Sequence, residues 1–241
     1  MKKSINQLLT ILFLSTILTS CGVDYLNKVN GNRNVTTETR NVSDTFNSIH
    51  VSNGIDLYIS QSSNTEVVVE ADENLQEIIK TEVNDGVLRI YTDKNIWQSK
   101  SRKVYVTLKE LSNLKATSGA DVYTEDVINT KEISISATSG ADINIKVDAE
   151  SVATKSTSGS DINIAGITTN HACSATSGSS IDAYDLESKN VIAKVTSGAD
   201  IDIYASEKIE AKATSGGDID YKGNPKIVNK KSSSGGSISR K

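Results

Sequence analysis

Large aromatic side chains are scarce in this 241-residue chain: Phe, Trp and Tyr together make up 5% of it, with 2 Phe and 1 Trp. Such rings normally dominate cores, so their shortage calls for a narrow interior of Ile, Val and Ala. Histidine occurs only at His50 and His171, neither beside an apparent nucleophile. Hydrolases and lyases need a localised cluster of acids and bases, and none is evident. The formal net charge of -4 gives no reason to expect a nucleic-acid partner. Cysteine is confined to Cys21 and Cys173, which leaves little scope for disulfides.

What the chain does have is one phrase said repeatedly. Thr117-Ser118-Gly119-Ala120-Asp121-Val122 returns from Thr138, Thr157, Thr176, Thr196, Thr214 and Ser233, with glycines at 119, 140, 159, 178, 198, 216 and 235. The period of roughly 19 residues lies close to the range of stacked-repeat architectures. A unit this short cannot bury its own apolar face, and stacking on its neighbours solves that problem.

Around Gly140 the apolar residues Ile133, Ile135, Ala137, Ile143 and Ile145 stand at odd offsets, and Ser134, Ser136, Thr138, Asp142 and Asn144 at even ones. Alternation with period two marks a strand with one buried face. Three residues after each glycine stand Val122, Ile143, Ile162, Ile181, Ile201, Ile219 and Ile238, a β-branched column suited to packing. Three before it the residues are small, from Ala116 to Ser232. Each unit thus reads as strand, glycine bend, strand and polar turn. The expected fold is all-β: a right-handed parallel β-helix, or β-solenoid, with strand connections of the usual hand. At about 4.8 Å between strands, seven rungs make a rod on the order of 30 Å long.

At the amino terminus Met1-Lys2-Lys3 precedes the apolar run Leu8 to Leu14 and the sequence Leu18-Thr19-Ser20-Cys21. A basic start and a short apolar stretch make a secretory signal rather than a spanning helix, and LTSC resembles a bacterial lipobox. Residues 1–20 are therefore expected to be a lipoprotein signal peptide, Cys21 the lipidation site, and 21–43 a lipidated, flexible tether. The β-helix domain is expected over 44–241. With Cys21 carrying lipid, Cys173 is left unpaired, and its column, shared with Leu114 and Ile135, makes it a small buried hydrophobe.

The first folded segment, Phe46 to Ile59, is a degenerate version of the phrase around Ser52-Asn53-Gly54. Further strands are expected at Val67 to Glu70, at Gly86 to Tyr91 after the turn Asn84-Asp85-Gly86, and at Lys103 to Leu108. The stretch Asn74 to Ile79 fits either a helical turn or a bulged strand. These rungs are irregular, as the ends of solenoids are. At the other end Gly223-Asn224-Pro225 breaks the period, and Lys230 and Arg240 replace apolar residues, which suits an exposed end rung.

Two outward columns carry the candidate chemistry. A candidate acidic binding face comprises Asp121, Asp142, Asp161, Asp200 and Asp218, two after the glycines, with Asp182, Asp202 and Asp220, four after. Like charges at strand spacing repel, and solvent, Ser, Thr and Asn hydrogen bonds or a hard cation such as Ca²⁺ would relieve them. The phase does not match nonapeptide calcium repeats, and neither a metal site nor a cofactor is assigned. Four before the glycines runs a candidate basic ridge, Lys115, Lys155, Lys194, Lys212 and Lys231, separated from the acids by a Thr column. His171 falls in an otherwise aliphatic column with Ile133 and Val152. Trp97 sits in an expected loop, where packing over the rod end is favoured over sugar stacking.

The opening FNSIHVSNGIDLYI, the strand NDGVLRIY, the reiterated TSGAD units and the terminal YKGNP and SSGGSI together resemble the DUF2807 family, described as auto-transporter adhesin, head GIN domain, over about Phe46 to Ile238. The resemblance implies a β-helix-like fold in exported proteins, common among Bacteroidetes and often lipoproteins, and brings no catalytic residues. The functional expectation is a non-catalytic, lipid-anchored outer-membrane protein on the periplasmic or cell-surface side. It would be an adhesin or a module binding a glycan or another envelope or surface protein, without nucleic acid. A periplasmic structural or envelope-sensing lipoprotein is the alternative, and a polysaccharide-active enzyme would require a cleft with clustered acids.

Overall fold

The computed structural model describes residues 28–42 and 45–241. The expected signal segment 1–20, Cys21 and positions 22–27 lie outside the described residues. Helix is confined, among the described residues, to one 3-10 turn at Glu73–Leu75. Almost everything else is strand, and the repeats form a parallel β-solenoid.

The regular rungs run through β10 (Asn113–Thr117), β11 (Asp121–Thr138), β12 (Asp142–Thr157), β13 (Asp161–Thr176), β14 (Ser180–Ala183) and β15 (Leu186–Thr196). They continue through β16 (Asp200–Tyr204), β17 (Lys208–Thr214), β18 (Asp218–Lys222), β19 (Ile227–Ser233) and β20 (Ser237–Arg240). Every pairing among these strands is parallel, and equivalent residues of successive repeats stand opposite one another: Asp142 faces Asp161, Ile143 faces Ile162 and Thr157 faces Thr176. We call the strand portions before each glycine bend wall A and those after it wall B.

Two devices turn the chain within a rung. At the bend, Ser and Gly both take left-handed backbone, as at Ser139 (φ 58) and Gly140 (φ 70), the pair of values that a type I′ turn requires. No atom lies within 4 Å of a Cβ built on Gly140, so glycine is used there for its φ and not for room. The bends also stack: Gly140 N–H donates to the Ser158 carbonyl at 3.3 Å and Gly198 N–H to Ser215 at 3.1 Å. At the opposite corner the alternation slips by one residue, as between buried Ala149 and buried Val152. Gly166 serves another purpose, since a side chain on it would collide with the Val147 backbone.

The inward columns form continuous spines. Val122, Ile143, Ile162, Ile181, Ile201 and Ile219 are all buried in register, and Leu57 and Val104 extend the column. Just inside each bend the side chain must be small, and Ala120, Ala141, Ser160, Ser179 and Ala199 occupy this buried column. The two serines satisfy their hydroxyls locally, Ser160 Oγ donating to the Thr157 carbonyl at 2.8 Å and Ser179 Oγ to Thr176 at 2.9 Å. In the last rung β19 is exposed throughout. There Lys230 stands opposite Ala211, and Arg240 opposite Tyr221, with its Nη2 on the Asn224 amide oxygen at 3.2 Å.

The amino-terminal third departs from chain order. Its strands are β1 (Lys28–Asn30), β2 (Val35–Arg40), β3 (Ser48–Val51), β4 (Asp56–Gln61), β5 (Glu66–Asp72), β6 (Ile79–Asn84), β7 (Val87–Thr92), β8 (Asn95–Gln98) and β9 (Arg102–Leu108). The rung β3/β4 is sandwiched: one side pairs with β10 and β11, the other with β7 and β9, all parallel. The far end is closed by antiparallel strands, β6 on β7, and β5 on β9 followed by β2 on β5. Asp85 and Gly86, both at positive φ, make the two-residue hairpin between β6 and β7 that the Asn-Asp-Gly signal predicts.

Part of the stretch expected as a tether is folded. β2 is an edge strand on β5, and β1 pairs with β8 in a separate two-stranded parallel sheet. One anchor is Asp72, a fully buried carboxylate that accepts the backbone N–H groups of Arg33 (3.0 Å), Lys100 (3.1 Å) and Ser101 (3.1 Å). Burial alone would raise its pKa, but those donors and the Lys100 charge hold it below the ordinary carboxylate value. Polar composition hid a segment held by side chains distant in sequence, Asn74 and Gln76 as well as Asp72.

Candidate functional site

On the outer surface of wall B the register assembles two ladders. The first reads Lys103, Asp56, Asp121, Asp142, Asp161, Ser180, Asp200, Asp218 and Ser237. The second, two residues further along each strand, reads Tyr105, Tyr58, Tyr123, Asn144, Asn163, Asp182, Asp202, Asp220 and Ser239. Pleating points both ladders the same way, so all eight aspartates singled out in the sequence come together on one wall.

Neighbouring charges one strand apart repel by about 1 kcal/mol in water, and the wall answers in several ways. Partial burial, then the adjacent carboxylates, raise the pKa of Asp142 (Asp161 and Asp121 beside it) and of Asp200 (Asp218 and Asp220). Asp121 is raised by burial and by Asp56, and Asp56 by burial in spite of Arg102 and Lys103. Asp202 is raised by burial and its acidic neighbours against a hydrogen bond from Tyr184. Ser180 Oγ donates to Asp161 at 2.7 Å, and Lys241 Nζ lies 2.9 Å from Asp220. Among the described residues no group of three or more His, Cys, Asp or Glu side chains is arranged to hold a metal ion.

The tyrosines were not foreseen as a unit. Tyr105, Tyr58 and Tyr123 stack in that order, with centroids 5.1 Å and 5.4 Å apart. Asp56 and Tyr58 follow Gly54 at the same offsets as the later columns, so two of the added residues were legible. Tyr105 was not, because it joins through the displaced rung order. After Tyr123 the ladder drops to the shorter Asn144, and β11 bulges between Tyr123 and Val127. The bulge is tied down by Ser60 Oγ donating to Glu125 at 2.6 Å and by the Lys146 N–H on Thr124 Oγ1 at 3.0 Å.

Wall A carries the opposite sign. Its ladder reads Arg89, His50, Lys115, Ser136, Lys155, Ser174, Lys194, Lys212 and Lys231, which unites the five lysines of the expected ridge. Burial, then Lys115 and Arg89, lower the pKa of His50. Towards the carboxyl end Lys194, Lys212 and Lys231 line an open concavity with the exposed Ile192 and Val228. The Thr column at the bends is partly self-satisfied: Thr214 Oγ1 donates to Thr196 Oγ1 at 3.1 Å.

Between the walls, His171 is buried, with Nε2 on Thr154 Oγ1 at 2.9 Å and Nδ1 without a partner. Burial lowers its pKa to about 4 and raises that of the buried Cys173 thiol to about 12. Both groups are core, out of reach of a ligand. Trp97 is in β8 rather than a loop, and it is 59% exposed instead of packed over the rod end. Lys28 Nζ lies 3.7 Å from its ring centroid. No helix among the described residues is long and apolar enough to cross a membrane.

A family model described as "Putative auto-transporter adhesin, head GIN domain" matches residues 45–225. Among solved structures, a "putative adhesin" of Bacteroides fragilis is 23% identical, with a TM-score of 0.83 over 88% of this chain and 100% of that one. A "putative lipid binding protein" of Parabacteroides distasonis is 21% identical, with a TM-score of 0.74 over 89% and 99%. A "putative adhesin" of Parabacteroides merdae is 22% identical, with a TM-score of 0.68 over 89% and 99%. At these identities the likeness is one of fold. The search of curated proteins found no match.

Proposed function

The chain belongs to the DUF2807 family, and from that premise we propose that it is a non-catalytic envelope protein, anchored by lipid on Cys21, whose walls bind a repetitive polymer or a surface protein. The observation that carries the reading is the pair of ladders in register, Asp, Tyr and Asn on wall B and Lys on wall A. A ladder offers the same group every 4.8 Å or so along the rod. A polymer with repeating groups can then engage several rungs at once, and weak single contacts gain through effective concentration. The chemistry is spread evenly along the rod, which suits adhesion and does not suit turnover at one centre. The family model and the three solved structures named above carry adhesin or lipid-binding descriptions.

In this reading residues 1–20 are removed, Cys21 holds the outer membrane, and the folded body acts as the binding head. Glycan arrays and whole-cell adhesion assays test it. The soluble body should bind, and a variant with Asp142, Asp161 and Asp200 changed to Lys should lose or redirect that binding. Equal behaviour of the two proteins would end the proposal. Protease treatment of intact cells reads the membrane face: digestion means surface display, and protection means a periplasmic partner.

A further inference from the structure

The link between β7 and β9, residues 93–101, takes the place of a short Ser-Gly bend and stands out from the bend edge of the rod. It carries Trp97, the single tryptophan of the chain, on β8 beside β1. Around it lie Lys28, with its ammonium over the indole ring, and Arg33, Lys100, Arg102 and Lys103, which line one concavity with Trp97. Arg102 also lines the adjoining concavity with Lys94. The nearby acids are largely engaged. Asp72 is buried under backbone N–H groups, Glu70 accepts the Ser101 hydroxyl at 2.8 Å, and Asp93 lies 3.8 Å from Lys80. Asp56 marks the border with the acidic ladder.

An exposed indole ringed by Lys and Arg is the arrangement that settles at a membrane interface, the ring at headgroup level and the cations on lipid phosphates. Position in the chain points the same way. Lys28 sits on Trp97, and six residues lie between it and Cys21, a Cα-to-Cα span of at most about 25 Å when extended. A lipid on Cys21 therefore keeps Trp97 within roughly 35 Å of a bilayer, once the reach of the Lys28 side chain is added. We propose that the patch of Trp97, Arg33, Lys94, Lys100, Arg102 and Lys103 docks onto the headgroups of an anionic phospholipid bilayer and sets how the rod stands on the membrane. The docking rests on the anchored reading for its orientation only.

Because the chain has one tryptophan, its fluorescence reports from this patch alone. The protein to use is the chain from residue 21 carrying Cys21→Ser, which has no lipid; among the described residues every buried apolar residue of the core lies between Phe46 and Tyr221. Vesicles of phosphatidylcholine with a third phosphatidylglycerol should shift the Trp97 emission to the blue and allow quenching by brominated lipid. Pure phosphatidylcholine should do neither, and salt should reverse the shift. Lys94→Glu and Lys100→Glu, both exposed and outside the core, should each weaken partitioning by roughly fivefold or more. The pair Lys194→Glu and Lys212→Glu on wall A should leave it unchanged.

Silence with anionic vesicles, an equal response to neutral ones, or loss through the wall A pair would overturn the docking. So would a response to a soluble anionic polysaccharide in place of vesicles. Mass spectrometry of Cys21 separates the two proposals. An unmodified Cys21 with a responsive Trp97 removes the anchor and keeps the patch, and a lipidated Cys21 with a silent Trp97 does the reverse.

Discussion

Replacing His171 with valine isolates one buried group whose protonation opposes folding. In register, His171 stands between Val152 and Val191, in the column that also holds Ile133 and Ile209, so valine matches the local shape. The folded pKa is about 4 against 6.5 for the free side chain. Below pH 6.5 the unfolded chain therefore binds a proton that the folded chain refuses, and stability falls as pH drops from 6.5 towards 4. Each pKa unit is worth about 1.4 kcal/mol, so the full loss is about 3 kcal/mol, of which about 2 kcal/mol is spent by pH 5.

The acidic ladder acts in the opposite direction over part of the same range. Its raised carboxylates take up protons more readily in the folded state, so acid relieves their repulsion. Comparing variant with parent at each pH cancels that contribution. His171→Val leaves the buried Thr154 hydroxyl without its Nε2 partner, at a cost of about 1–3 kcal/mol, and the double variant with Thr154→Val removes this cost. Urea unfolding followed by circular dichroism should place the double variant's stability curve nearly level from pH 7.5 to 5 relative to the parent's, which drops by about 2 kcal/mol. Parallel curves would refute the buried, neutral imidazole.

Asp72→Ala should release the N–H groups of Arg33, Lys100 and Ser101 together, cost on the order of 3 kcal/mol, and raise hydrogen exchange first in β1, β2 and the 93–101 link. Ile162→Ala, in the middle of the spine, should cost about 2–5 kcal/mol. Ile238→Ala in the half-covered last rung should cost well under half of that, as read from denaturation midpoints. Asp142→Asn should raise the thermal midpoint at pH 7, because it removes a carboxylate whose pKa is raised. The gain should shrink in high salt and vanish near pH 3, where the parent's Asp142 is itself protonated.

Much of the fold was legible because its signals are local. Alternation around Gly140, the Ile column and the Ser-Gly pairs each need only a few consecutive residues, and repetition at one spacing turned them into columns. The Asp and Lys ladders followed, since parallel stacking in register places like on like. Three features were hidden. Residues 28–40 looked like a solvated linker, Trp97 looked like a loop residue, and Tyr105 had no place in the column count. Each depends on a partner far away in sequence: Asp72 for β2 and the 99–101 turn, β1 for β8, and β4 for β9.

The chain on its own determined a stacked all-β rod, its narrow aliphatic spine and the two charged columns. Every one of these follows from side-chain alternation and from a turn that two adjacent residues specify. Tertiary structure alone decided the order of the amino-terminal rungs, the antiparallel closure of that end, and the meeting of Trp97 with its ring of cations. A strand's alternation says which face is buried but not which neighbour it pairs with or in which direction. Either edge of a rung satisfies the same backbone hydrogen bonds, and only the packing of the whole end selects among them.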